Sequence, residues 1–153
     1  MDDMEKLVVV EGLRRLMARY VYAADHQQWD ELASLFTPDG TFTPHDTDGT
    51  VLIRMEGREE IARALPEGVG SGAVLVHHLF SDLIDVESAT SARGIWAMED
   101  LVRRPVPAGC AERGQGFTEM HGYGHYRPRF TRIDGEWRIA ELVLTRVRVD
   151  VTP

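Results

Sequence analysis

The stretch AVLVHHLFSDLIDVE, residues 73–87, decides the fold. It is rich in Val, Leu and Ile, which suit a pleated surface, and it reads as a long strand. Three more segments of the same character follow at 90–104, 116–133 and 136–149, parted by turn residues. Asp134-Gly135 joins the last two as a hairpin turn. Pro105, Pro107 and Gly109 open the one long loop. The second half of the chain is therefore strand territory.

Upstream the period changes. Val9, Val10, Leu13, Leu16, Met17, Tyr20, Val21 and Ala24 recur at the three- and four-residue spacing of one helical face. A short second helix is predicted over 30–36, with Asp30 as its first-turn acid. A third, GREEIARAL over 57–65, stops at Pro66. TPDG at 37–40 and Asp48-Gly49 read as turns, and TFTPH and TVLIRM as the two short strands of a hairpin. Helices first and a long antiparallel sheet afterwards specify an α+β domain with the helices packed on one curved face. No repeat or linker divides the chain, so 1–153 is read as one domain. A strongly curved sheet closed by helices makes a cone whose open side is a pocket for a small molecule.

Composition narrows the partners. The 153 residues are 43% hydrophobic and 27% charged, ordinary for a soluble globular protein. A net charge of −8 with scattered arginines, modestly clustered at Arg127, Arg129 and Arg132, argues against a nucleic-acid surface. No apolar run approaches the ~18 residues of a membrane span, and the acidic start MDDMEK does not resemble a secretory signal. Cys110 is the single cysteine, so no internal disulfide is available and a reducing cytoplasm is the expected compartment.

Candidate chemistry begins at RYVYAADHQQWDEL, residues 19–32. Asp25 lies roughly 140° around the helix from Tyr20, at the edge of the apolar arc. It reads equally as a solvated helix-terminal acid or as a buried one beside Trp29. His78 is taken as its partner, because a buried imidazole needs an acceptor and a buried carboxylate needs a donor. An aspartate so placed fixes the tautomer and raises the basicity of a general base. His78 shares a strand face with Val74, Val76 and Phe80, and His77 shares the other with Leu75 and Leu79; both faces are apolar, so the pattern leaves open which one faces the cavity. Trp96, Met98 and Asp100 share one face of the next strand. Arg146 lies with Leu142 and Leu144 on the last, as an interior ion-pair partner for Asp100 or an anchor for a substrate anion. HGYGHYRPRF, 121–130, is not a metal motif. His121 and His125 stand roughly 13 Å apart on a strand, and no phosphate loop, CxxC pair or Ser-His-Asp spacing appears. Gly122 and Gly124 are read as places where the sheet bends.

The order RYxxAxDxxxWDEL, LFTPDG, GREEI, HxxxDLID and RIDGEWRIAEL resembles the SnoaL-like branch of the nuclear transport factor 2-like superfamily over roughly residues 5–149. The resemblance implies a conical α+β barrel with a deep pocket, as dimers or trimers. Within that branch the chain is most similar to cofactor-independent lyases: bile-acid 7α-dehydratase, scytalone dehydratase and hexachlorocyclohexane dehydrochlorinase. It implies that Tyr20, Asp25, His78, Asp100 and Arg146 form the catalytic set, with no metal or organic cofactor. Phe80, Trp96, Met98, His45, Tyr123 and His125 would contact a hydrophobic cyclic, steroid- or polyketide-like substrate. Two departures stand out. Thr43, Pro44 and His45 occupy the hairpin where the dehydratases place a further tyrosine, and Arg103 and Arg104 stand where scytalone dehydratase has a second histidine. The expected activity is a dehydratase. The alternatives are an isomerase or cyclase using the same dyad, or a non-catalytic binding or dioxygenase small-subunit-like protein.

Overall fold

The first helix, α1 (Asp3–Asp25), starts on a reciprocal cap: the Asp2 carboxylate accepts from the Glu5 amide at 2.8 Å, and the Glu5 carboxylate accepts from the Asp2 amide at 2.7 Å. This satisfies amides that the first turn would leave bare. Its buried stripe is Val9, Leu13, Leu16, Met17, Tyr20, Ala23 and Ala24. Each large apolar side chain so buried contributes about 1.5–3 kcal/mol relative to exposure. The computed structural model describes residues 1–105 and 117–153; Cys110, Pro107 and Gly109 lie outside the described residues.

After α1 come α2 (Trp29–Ser34), β1 (Phe36–Pro44), β2 (Met55–Glu56) and α3 (Arg58–Val69), then the long strands β3 (Val74–Val86), β4 (Ser91–Arg103), β5 (Glu119–Ile133) and β6 (Glu136–Thr152). The six strands form one curved sheet in the order β2-β1-β6-β5-β4-β3. Every neighbouring pair is antiparallel except β1 and β6, which run parallel. The α+β class, a curved and mostly antiparallel sheet with N-terminal helices, is as expected; β2 and β3 are its two open edges. No helix among the described residues is long and apolar enough to cross a membrane.

Three local readings are corrected. TPDG at 37–40 is not a turn but part of β1, whose register against β6 shifts between Phe36 and Thr41. The turn-forming residues are absorbed as an irregularity, with the Thr37 hydroxyl donating to Asp39 at 3.1 Å. The second helix begins at Trp29 and releases Phe36 to the strand. Pro66 does not stop α3, which runs on to Val69 and ends before Gly70 at φ 89°. At Asp134-Gly135 the hairpin forms as read, with both residues at positive φ (52° and 81°), the backbone of a type I′ turn.

The inner face of the sheet packs against α1. On β4 it is Ala92, Gly94, Trp96, Met98, Asp100 and Val102, all buried, alternating with more exposed residues. Trp96, Met98, Tyr126, Phe130, Leu142 and Leu144 join the α1 stripe in the main core.

Candidate active site

The end of α1 determines where Asp25 goes. His26 caps the helix, and Gln27 takes a left-handed conformation (φ 55°) that turns the chain away. The Gln27 side-chain amide donates to the Ala73 carbonyl at 2.7 Å, tying this corner to the start of β3. His77 follows Ala73 by four residues, on the face that points inward, and its Nδ1 lies 2.7 Å from Asp25 Oδ1. The two side chains are 12% and 26% exposed, shielded without being sealed.

This corrects the choice of histidine. His78 points to the opposite face, is 55% exposed, and bonds through Nδ1 to Glu99 at 2.8 Å. The register explains it. His77 stands across from Asp100, an inner residue, whereas His78 stands across from Glu99 on the outer face.

The same register row continues. Asp100 pairs with Gly122 on β5, so His77, Asp100 and Gly122 form one line across three strands. Arg146, on β6 opposite Gly124, completes it by reaching back across Gly122. Its Nη1 and Nη2 meet Asp100 Oδ1 and Oδ2 at 2.5 and 2.9 Å, a bidentate pair with side chains 9% and 7% exposed. The reach depends on glycine: a Cβ at position 122 would lie 2.3 Å from Arg146 Nη1 and 2.6 Å from Asp100 Oδ1. Desolvation opposes the guanidinium charge, but the hydrogen bonds and charge of Asp100 outweigh it and hold Arg146 above its ordinary value. Arg146 is thus the partner of Asp100, the first of its two expected roles.

Tyr20 is 2% exposed on the buried side of α1. Its ring meets Phe36 and Tyr126 edge-on, at centroid distances of 6.1 and 5.6 Å. Burial pushes its phenol well above the ordinary value, and the neighbouring Tyr126 hydroxyl partly offsets the rise. It stays a proton donor at any ordinary pH.

Of the expected substrate contacts, Trp96 and Met98 lie on the inner face, 2% and 3% exposed. His45 follows directly on β1, its amide donating to the Leu144 carbonyl of β6 at 2.8 Å, two residues before Arg146. Phe80, Tyr123 and His125 do not reach the inner side. Phe80 is 57% exposed, beside a shift in register between Leu79 and Asp82, and packs edge-on against His78. Tyr123 and His125 stand across from Glu99 and Ala97 on the outer face, where Tyr123 stacks on His121. There His78 and His121 flank one carboxylate, at 2.8 and 2.9 Å from the two oxygens of Glu99.

Among the described residues no three His, Cys, Asp or Glu side chains gather as a metal site. Two surface clefts of about 410 and 700 Å³ open around Trp29 and Ala62, and around Arg19 and Tyr22; Asp25, His77, Asp100 and Arg146 line neither.

Tyr126 was missed. It is 2% exposed on the inner face, across from Trp96 and Leu144. The signal was present in Gly122-x-Gly124-x-Tyr126, where two glycines on alternate positions mark the face that needs room.

An open, curved, mostly antiparallel sheet with helices on one face is the nuclear transport factor 2-like architecture. The model of the SnoaL-like domain matches residues 5–143, and the chain belongs to that family. A Gibberella zeae protein named "Probable cyclase FGR4" is 25% identical over 140 residues, 88% of this chain and 89% of its own. The crystal structure of a Novosphingobium aromaticivorans protein called "Putative Scytalone Dehydratase" superposes with a TM-score of 0.79 at 23% identity, over 97% of this chain and 90% of that one. A type 2 hexachlorocyclohexane dehydrochlorinase superposes with a TM-score of 0.79 at 16% identity, over 99% and 94%.

Proposed function

We propose that this protein is a lyase of the dehydratase type, needing no cofactor, that acts on a hydrophobic cyclic substrate of steroid- or polyketide-like character. The observation that carries the reading is the 2.7 Å bond between Asp25 and His77 Nδ1 on the inner face, one strand from the buried Asp100–Arg146 pair. With Asp25 accepting from Nδ1–H, the imidazole presents its Nε2 lone pair inward as a general base. Nε2 takes a proton from carbon next to a carbonyl, and the electron pair moves onto the carbonyl oxygen. Tyr20 donates to that oxygen where the charge builds. As the enolate collapses, the C–O bond at the β carbon breaks, and the imidazolium returns its proton to the departing hydroxyl as water. Trp96 and Met98 supply the apolar part of the inner face, while Asp100 and Arg146 form its buried polar end.

A cyclase is the second reading, since the same enolisation precedes carbon–carbon bond formation and the Gibberella relative carries that name. Purified protein incubated with pooled hydroxylated enones, steroids and aromatic polyketide precursors distinguishes the two by mass spectrometry. A product lighter by one water, absent with Asp25→Asn and His77→Gln, is the expected result. An equal-mass product with the same dependence moves the protein to cyclase or isomerase. Turnover unaffected by either substitution overturns the dyad. The same reading carries the dimer or trimer expected of the family, which sedimentation velocity counts directly.

A further inference from the structure

We propose that Gln27 is a positioning residue for the base, a second tether between α1 and β3 that holds Asp25 against His77. Its bearing on turnover rests on the general-base reading above; its effect on the Asp25–His77 bond does not.

Position 27 is one where the backbone asks for glycine. Beyond the cap at His26, the Gln27 amide donates to the Ala24 carbonyl at 3.0 Å and the Gln28 amide to the Ala23 carbonyl at 2.9 Å. These two bonds close the last turn of α1 and require a left-handed residue just past the cap. At φ 55° Gln27 meets that requirement, although its Cβ opposes it. A helix stop alone would be better served by glycine, as at Gly70 after α3, where φ is 89°. The glutamine side chain therefore has to supply something that glycine lacks. It supplies a donor: its Nε2 reaches the carbonyl of Ala73, 46 residues away in the chain, at 2.7 Å.

The segment that carries this carbonyl needs holding. Ala73 is 6% exposed and stands just ahead of β3, an edge strand paired on one side only, to β4. The chain enters it through Gly70 and Gly72, both at positive φ, which add little stiffness. Asp25 and Gln27 at the end of α1 meet His77 and Ala73 at the start of β3, in opposite order along the two segments. With one contact the helix end can pivot about it; with two, its direction is set. Left to one contact, the Asp25 carboxylate, 26% exposed, can swing out to water. A displacement of about 1 Å in such a placement is enough to cost roughly a hundredfold in rate.

Heteronuclear NMR on the protein with nitrogen-labelled histidine and no added ligand tests the proposal, the His77 signals being assigned by their loss in His77→Gln. In the wild type the imidazole should be a single tautomer with its proton on Nδ1, and that proton should exchange slowly with water. Gln27→Gly keeps the left-handed turn without the amide. Gln27→Asn tolerates the turn and falls one methylene short of Ala73. Each variant should melt close to the wild type yet mix the tautomers and speed exchange of the Nδ1 proton about tenfold, the worth of one hydrogen bond. If both keep the wild-type tautomer and exchange rate, Gln27 only ends the helix and this inference fails alone, whatever the melting temperature does. If the wild type holds no proton on Nδ1, the Asp25–His77 bond fails, and the inference and the general base fall together. Turnover judges the base separately: if His77→Gln is as active as the wild type while Gln27→Gly frees the Nδ1 proton, the tether stands and the general-base reading falls.

Discussion

His77 and His78 are neighbours in sequence and belong to different environments. Both bond a carboxylate through Nδ1, at 2.7 and 2.8 Å, so the pairing itself does not separate them. What separates them is the face of the sheet. The inner pair sits in the register row that leads to Asp100 and Arg146, against the buried stripe of α1. The outer pair shares its glutamate with His121 on a face where Val74, Phe80 and Leu101 are also exposed. A hydrogen-bonded acid and histidine is therefore not sufficient evidence of a base. Shielding from water and convergence with other polar groups make the difference.

The contrast can be broken first by turnover. His77→Gln and Asp25→Asn should each lower it about a hundredfold or more, the range of a lost general base. His78→Gln should leave it within about twofold, with thermal melts confirming that all three variants fold. The next effect is on stability. Asp100→Ala or Arg146→Met leaves a buried charge alone and should cost about 3–5 kcal/mol in urea unfolding. Removing either partner of the exposed Arg148–Asp150 pair should cost under ~1 kcal/mol.

Gly122→Ala sharpens the point without deleting a charge. Its Cβ would stand 2.3 Å from Arg146 Nη1, so the pair must shift, at a cost of roughly 1–3 kcal/mol. The smallest effect concerns the outer face. The bonds from His78 and His121 hold the Glu99 carboxyl below its ordinary 4.5. A depressed carboxyl contributes stability that is present above its unfolded value and lost as the pH falls through its folded one. Acid titration of unfolding should show this loss below pH 4.5 in the wild type, and Glu99→Gln should remove it without altering turnover at neutral pH.

The order of elements, the four long strands and the type I′ hairpin were all legible in the sequence, because period and turn chemistry are local. So was the sharing of one face by Trp96, Met98 and Asp100, since side chains alternate along a strand. Which face turns inward was not legible at β3. Its two sets, Leu75-His77-Leu79 and Val74-Val76-His78, are about equally apolar, and the decision lies in its pairing with β4. The same choice of face misplaced Tyr123 and His125 and hid Tyr126. Phe80 escaped for another reason: the register shift after Leu79 cannot be read from alternation. Pro66 and TPDG misled because breaker residues were read as boundaries. Pro66 forfeits the bond to the carbonyl four residues back, yet α3 continues one more turn past it, and a strand can bulge around a turn sequence.

The last strand lies in the interior of the sheet. β6 is inserted between β1 and β5, pairing Phe36 with Ile139 and Thr43 with Val143 across a hundred residues of chain. During synthesis β1 has no partner on that side until residues 136–152 have left the ribosome, and Arg146 reaches Asp100 only then. The helices and the β3–β5 strands can form early, but the apolar side of β1 waits in water. Completion of the sheet and of the Asp100–Arg146 pair thus waits on β6, a long-range pairing that is slow to form and leaves β1 exposed until it does.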